Sequence, residues 1–302
     1  MLEIALVGTG GMMPLKNRHL SSMICRYKTA TILFDCGEAT QISLQKIGWG
    51  FKAIDVICFT HFHADHITGL PGLIHAINHS GRTETLTIVG PVGIQKVSES
   101  LLIVAKGLSF SIEYVELSDG DIFTIDDKIS IKSLPLDHRV TCLAYSLETT
   151  RQGKFDIERA NSLNIPIRFY ANLQRGEIVE YNGQTYDPST VLGPLRHGFK
   201  IVFCTDTRPI HEIVLFAKNA DLFIAEGIYA DDEKLDKAKE YKHMLFSEAA
   251  NLAKEANVKE MWLTHYSPSL SNPEDFIDIA RNIFENSHTG YDGMTKVLNY
   301  EK

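Results

Sequence analysis

The stretch VICFTHFHADHITGL, from Val56 to Leu70, constrains this chain more than any other. An apolar, β-rich run ends in His61, and His63 follows two residues later. An extended backbone turns alternate side chains to the same side, so both imidazoles face one way. Asp65 and His66 come next, where the pattern changes from strand to helix and Gly69 follows. One strand end can therefore offer two ligands to one metal and two to another. A fold that accepts this segment must bring further ligands to it, because a single segment cannot complete a binuclear site.

Three distant residues share the placement of His61. His138 follows the run ISIKSLPLD, Asp206 follows KIVFCT and His265 follows KEMWLT, each just past an apolar strand. Strand ends gathered on one edge of a scaffold bring such loop residues together while the sheets hold them rigid. Imidazole and carboxylate donors without thiolates suit zinc, with manganese or iron also possible. Asp206 is the one distant carboxylate of the set. A bridging carboxylate would hold two cations roughly 3.5–4 Å apart, with a shared water of lowered pKa.

The rest of the chain supplies the scaffold. Short β-rich runs (LEIALVG, SSMICRY, TATILFD, DVICFT, LTIVG, ISIKSLP, TCLAYSLE) fill the first half, and FKIVFCTD, ADLFIAEG and EMWLTH form a later group. Helical patterns lie among them, as in ITGLPGLIHAINHS, PVGIQKVSESLLIVAKGL, RPIHEIVLFAKNA, FSEAANLAKEA and PEDFIDIARNIFEN. Two β-rich halves that each carry amphipathic helices predict a sandwich of two sheets with helices on the outer faces. Residues 150–199 differ, being polar and turn-rich, and read as an inserted arm or appended subdomain. Arg151, Lys154, Arg159, Arg168, Arg175 and Arg196, with Lys200 just beyond, outnumber the five acids of this segment. Phe169, Tyr170, Tyr181 and Tyr186 read as exposed aromatics that could rest on ribose or base surfaces.

Composition sets limits. The chain of 302 residues is 44% hydrophobic, 23% charged and carries a net charge of −8. A protein that binds nucleic acid through a broad basic face usually carries the opposite sign, so any nucleic acid is expected to be held by local cations and by the metals. The five cysteines lie in or beside apolar runs without a CxxC pair, and are expected to be buried free thiols of a cytoplasmic protein. No apolar run approaches membrane-spanning length and the N-terminus lacks a signal-peptide pattern, so no membrane association is expected. GTGGMMP (Gly8 to Pro14) lacks the third glycine of a nucleotide-binding loop and reads instead as a tight turn that brings backbone close to the metal site.

With its HxHxDH motif and the later histidine, aspartate and histidine, the sequence resembles the metallo-β-lactamase superfamily. The resemblance to its ribonuclease Z branch extends over nearly the whole chain. PLKNRH keeps Pro14, Lys16 and Arg18 of that branch's PxKxRN loop; TDTRP (Thr205 to Pro209) matches GDTRP; and Asp137–His138 matches the pair that precedes the arm. AEGIY, containing Glu226, approximates HEATF. Three positions depart: His19 replaces the asparagine of PxKxRN, HML (His243 to Leu245) replaces HST, and NIPIRFY replaces the glycine- and proline-rich arm motif.

The resemblance implies an α/β, αββα four-layer sandwich over residues 1–302, with 150–199 as a tRNA-binding arm. It implies two zinc ions per chain: His61, His63 and His138 on one, Asp65, His66 and His265 on the other, and Asp206 between them. Asp65 would also be the general base and His243 the acid for the leaving group. Lys16 and Arg18 would neutralise phosphates beside the scissile bond, and Arg208 would clamp a phosphate. The implied activity is a homodimeric endonuclease that removes 3′ trailers from precursor tRNA. The alternative is an enzyme of the same fold acting on small cyclic or activated diesters. A module with purely structural metals is disfavoured, because such sites are usually closed and cysteine-rich.

Overall fold

The computed structural model describes residues 1–300. Two seven-stranded sheets dominate it. In the first, β1 (Leu2–Gly8), β2 (Ser22–Tyr27), β3 (Ala30–Phe34), β4 (Val56–Cys58), β5 (Leu86–Pro91) and β6 (Ile112–Leu117) lie side by side in chain order. The late strand β16 (Thr295–Leu298) pairs antiparallel with the other side of β1. The second sheet runs β15 (Ser287–Thr289), β14 (Met261–Thr264), β13 (Leu222–Glu226), β12 (Arg196–Cys204), β9 (Leu143–Arg151), β8 (Ile129–Pro135) and β7 (Ile122–Asp126). Strands β3 to β6 are parallel, as are β12 to β15.

Both sheets are covered on two sides, which explains why strands such as β3 and β13 are buried at every position rather than at alternate ones. Ala5, Val7, Ile24 and Leu33 of the first sheet pack with residues of α1 (Thr40–Lys46), α3 (Leu70–His79) and α4 (Ile94–Leu101). In α3 the buried residues Leu70, Leu73, Ile74 and Ile77 follow the three-four spacing of one helix face. Val202, Cys204, Phe223, Ala225, Met261 and Leu263 of the second sheet pack with α7 (His211–Ala217), α9 (Phe246–Glu255) and α10 (Ile277–Arg281). The inner faces meet through Phe34, whose ring lies 5.9 Å from those of Tyr145 and Phe203. Buried Tyr145 satisfies its hydroxyl on the Phe59 carbonyl at 2.7 Å, crossing from one sheet to the other. This is the expected αββα four-layer sandwich.

The chain divides into two compact units, the larger of residues 1–123, 131–147 and 200–302 and the smaller of 124–130 and 148–199. The smaller unit carries α5 (Ile157–Ser162), α6 (Tyr170–Gln174) and a hairpin of β10 (Val179–Tyr181) and β11 (Gln184–Tyr186). Ala160, Ile165, Leu173, Val179, Tyr186 and Val191 form its own core, and Phe155, Phe169, Tyr170 and Tyr181 pack against them. The aromatics that read as exposed in the sequence are therefore structural. Phe169 stacks near Tyr181 at 5.4 Å, and the Arg168 guanidinium sits 4.8 Å from both rings. With so few aliphatic side chains, a unit of this size needs its aromatics for a core. Short, polar strands (β6, β7, β15 and β16) were not legible as strands, because edge positions carry charges in place of a continuous apolar run.

Phe34 is the large side chain at the centre of the inter-sheet layer. Phe34→Ala should lower the unfolding free energy by about 3–5 kcal/mol in a urea titration while leaving the far-ultraviolet spectrum native. A loss below about 1 kcal/mol would mean that the sheets do not depend on this contact.

Candidate metal centre

Every proposed ligand lies just beyond the C-terminal end of a strand. His61 follows β4, His138 follows β8, Asp206 follows β12 and His265 follows β14. His63 is still extended (φ −66°, ψ 150°) and caps the four-residue helix α2 (Ala64–Ile67), which contributes Asp65 and His66 from its one turn. Asp206 (φ +54°), His265 (φ +59°) and the nearby Asp35 (φ +54°) all occupy the left-handed region. Such strain in side-chain-bearing residues is tolerated where the surroundings over-determine the conformation, and it turns each side chain inward from its strand end.

The seven residues converge. One donor atom each of His61, His63, His138 and Asp206 lies within 4.8 Å of the others, as does one each of Asp65, His66 and His265. Asp206 links the groups: its Oδ2 is 3.8 Å from both His61 Nε2 and His138 Nε2, and its Oδ1 is 3.2 Å from His66 Nε2 and 3.3 Å from His265 Nε2. His66 Nε2 and His265 Nε2 face each other at 3.1 Å, and His138 Nε2 faces His63 Nδ1 at 3.3 Å. His61 Nε2 and Asp206 Oδ1 are buried without a hydrogen-bond partner. Opposed imidazole nitrogens and orphaned donor atoms in a buried cluster fit divalent cations, which accept all of these lone pairs at once.

The groups behind the ligands fix their orientation. Asp35 Oδ2 lies 2.7 Å from His66 Nδ1, and its two oxygens also accept from the Thr60 amide at 2.8 Å and the Thr60 hydroxyl at 2.9 Å. That bond holds the proton on Nδ1 and leaves Nε2 for a metal. His138 is treated alike, its Nδ1 lying 3.1 Å from the Lys242 carbonyl oxygen. Met12 donates its backbone N–H to Asp65 Oδ2 at 2.6 Å. The expected tight turn thus does approach the site, and Gly11 is required there: a Cβ would stand 2.6 Å from the His265 ring.

Electrostatics separates the histidines. Burial holds His61, His63 and His138 below the usual imidazole range and therefore neutral, as ligands must be. Burial opposes charge on His66 as well, but Asp206 and Asp35 outweigh it and raise that group. A site whose carboxylates call so strongly for a positive charge suits a cation. Burial works against ionised Asp206 and Asp65 too, and the surrounding histidines overcome it, holding both carboxylates well below their ordinary range. His243 is also opposed by burial, yet Glu226, 2.9 Å from its Nδ1, lifts it to about 9.

The structure differs from expectation at the arginines. Arg18 donates to the carbonyl oxygens of Leu270 at 2.8 Å and Ser271 at 3.0 Å, and lies over the Tyr266 ring. It clamps the loop after His265. Arg208 is bound to Glu248 and to the His243 carbonyl oxygen. Lys16 is exposed. His19, in the place of an asparagine, shares Asp292 with Thr9 through its backbone N–H and its Nδ1. Asp35 and Glu226 were not singled out from the sequence as site residues. Each ends an apolar strand as the ligands do, and that shared position was the available signal.

The two-sheet sandwich and its edge of histidines and carboxylates define a hydrolase of the metallo-β-lactamase fold with a divalent-metal site. The short form of human tRNase Z shares that fold, with a TM-score of 0.70 over 99% of this chain and 100% of that one at 24% identity. Residues 2–152 match the family described as Anti-Pycsar protein Apyc1. A Ribonuclease Z of Clostridium acetobutylicum is 48% identical over 100% of this chain and 99% of its own length. A Ribonuclease Z of Agathobacter rectalis is 47% identical over the whole of both chains. The chain belongs to the ribonuclease Z family of hydrolytic endoribonucleases.

Asp35 touches no proposed metal position yet fixes His66. Asp35→Asn should lower metal affinity about 10- to 100-fold in a chelator competition, against about two metals per chain in the unaltered protein. Unchanged affinity would remove Asp35 from the site.

Proposed function

We propose that this chain is a two-metal phosphodiesterase that releases 3′ trailers from precursor tRNA. When bound by His61, His63 and His138, by Asp65, His66 and His265, and by Asp206 between them, two divalent cations, zinc by the donor chemistry, would supply Lewis-acid stabilisation and a water of lowered pKa. Asp65, held ionised, takes the proton of the attacking water. His243, its Nδ1 tied to Glu226 and its pKa lifted to about 9, is charged at neutral pH and donates from Nε2 to the departing ribose 3′ oxygen.

The observation that carries this reading is the company His243 keeps. Its ring centroid lies 5.3 Å from that of His138 and 5.7 Å from that of His265, so an imidazole whose Nδ1 is tied to Glu226 stands beside two proposed ligand histidines. A site built only to hold metals has no use for a proton there. A ribose 3′ oxygen is a poor leaving group and needs one.

The smaller unit offers cations that suit an RNA substrate. Lys154 and Arg159 are exposed and carry no ion pair among the described residues, and both line a cavity of about 480 Å³ that Asp156 and Glu158 also line. Free cations beside a concave surface suit phosphates of a folded RNA. The same reading makes the chain a cytoplasmic homodimer. All five cysteines are buried free thiols, which suits a reducing compartment.

Three outcomes are expected. Incubated with a precursor tRNA, the protein should leave a new 3′ end where the trailer leaves the open end of the acceptor stem, read by sequencing. Lys154→Ala with Arg159→Ala should then weaken tRNA binding and reduce its log–log salt slope by about 1–2. Hydrolysis of a small activated diester should persist in that variant; if both activities fall together, the arm serves the fold and not the RNA. His243→Ala should slow tRNA cleavage about 10²–10⁴-fold and barely alter an activated aryl diester, whose leaving group needs no proton. Equal losses on both substrates would assign His243 to packing.

A further inference from the structure

Arg208 stands two residues beyond Asp206 with its guanidinium already engaged. Nη1 donates to the His243 carbonyl oxygen at 2.5 Å and to Glu248 Oε2 at 2.9 Å, while Nη2 donates to Glu248 Oε1. Glu248 Oε2 also accepts from the Leu245 backbone N–H at 3.0 Å, at the start of α9. The backbone N–H of Arg208 donates to the Asp137 carbonyl oxygen at 3.0 Å, next to His138 in the chain. Between Asp206 and Arg208, Thr207 donates its backbone N–H to Glu226 Oε1 at 2.5 Å, and Glu226 Oε2 holds the His243 ring.

His243 is therefore gripped at two points by one short segment. Its ring is held through Glu226 by Thr207, and its main chain is held directly by Arg208. A bidentate guanidinium–carboxylate pair has a rigid geometry, and here both side chains are mostly shielded, at 14% and 18% exposure. An arginine committed to three acceptors cannot also fork onto a phosphate without giving up Glu248.

We propose that Arg208 is a positioning residue for His243: it fixes the main chain beneath that imidazole in register with Asp206, and it does not bind substrate. The inference rests on reading His243 as the leaving-group acid. It accounts for the departure from a phosphate-clamp role, and it ties the proton donor to a metal ligand through two residues of chain.

The test compares Arg208→Lys and Glu248→Gln with the unaltered enzyme on aryl phosphodiesters, from nitrophenyl to phenyl leaving groups, with metal content measured alongside. Lysine keeps the charge and loses the fork; glutamine keeps an acceptor for Leu245 and loses the carboxylate. The expected result is a rate within about threefold on the nitrophenyl ester and a fall of about 10- to 100-fold on the phenyl ester, with KM and metal content unchanged. Glu248→Gln should give the same pattern more weakly. A rise in KM on every ester with kcat preserved in Arg208→Lys would make Arg208 a phosphate clamp and overturn the proposal. So would a fall in KM in Glu248→Gln, as expected of an arginine freed to meet substrate. Equal loss across the esters would overturn it in favour of packing. Because the probes are aryl esters, failure of the unaltered enzyme on precursor tRNA would bear on the substrate and not on Arg208.

Discussion

Two pairs of imidazole nitrogens face one another within hydrogen-bond distance at the edge of the sandwich, His66 with His265 and His63 with His138. In each pair both nitrogens can be acceptors only if something positive lies between or beside them. Left unmatched, buried polar atoms of this kind cost about 1–3 kcal/mol each. The rest of the scaffold is arranged around this constraint. Parallel strands deliver their C-terminal ends to one edge, three residues there adopt a left-handed backbone, and Gly11 omits a side chain so that His265 can approach. The four-layer core, with Phe34, Tyr145 and Phe203 at its middle, keeps those strand ends from spreading when the charges among them repel.

The proposed ligands could be picked out because their rule is local and periodic. His61 and His63 share a side of an extended chain, Asp65 and His66 sit in the following turn, and each distant ligand ends an apolar strand. The same rule describes Asp35 and Glu226, at the ends of TATILF and ADLFIA, but the sequence does not say which terminal carboxylate turns toward metal and which turns toward an imidazole's other nitrogen. That choice depends on strand order, which places β3 beside β4 and β13 between β12 and β14. The contacts the arginines make were not legible for a different reason. Their acceptors include main-chain carbonyls of His243, Leu270 and Ser271, which leave no trace in the residue letters, and for Arg208 a carboxylate, Glu248, forty residues away in sequence. Tyr186 was misread because whether an aromatic is core or surface depends on how much other apolar material its unit contains.

A division of charge follows from burial. With the same side chain, the fold holds His61, His63 and His138 below the usual imidazole range, where burial outweighs the nearby carboxylates, and raises His243, where Glu226 hydrogen-bonded to Nδ1 outweighs burial. Metal ligation and proton donation need these opposite states at one pH. The net charge of −8 works at another level. It leaves no general attraction for RNA, so recognition must come from a few cations placed where the remainder of the surface does not compete.

The replacement of two small polar residues after His243 by Met244 and Leu245 has a structural meaning. Met244 joins the core between the second sheet and its helices, and Leu245 joins a cluster with Ile228, Tyr229 and Ala238. Hydroxyl-bearing neighbours could have held the histidine loop by side-chain hydrogen bonds. Apolar neighbours hold it by burial, which fixes depth well and direction poorly, since packing is not directional. The directional part then falls to groups from other segments. Glu226 fixes the ring, the Ala238 carbonyl accepts from the His243 backbone N–H at 2.9 Å, and Arg208 takes the His243 carbonyl. The histidine persists beside altered neighbours because none of these polar contacts is made by the neighbours' side chains.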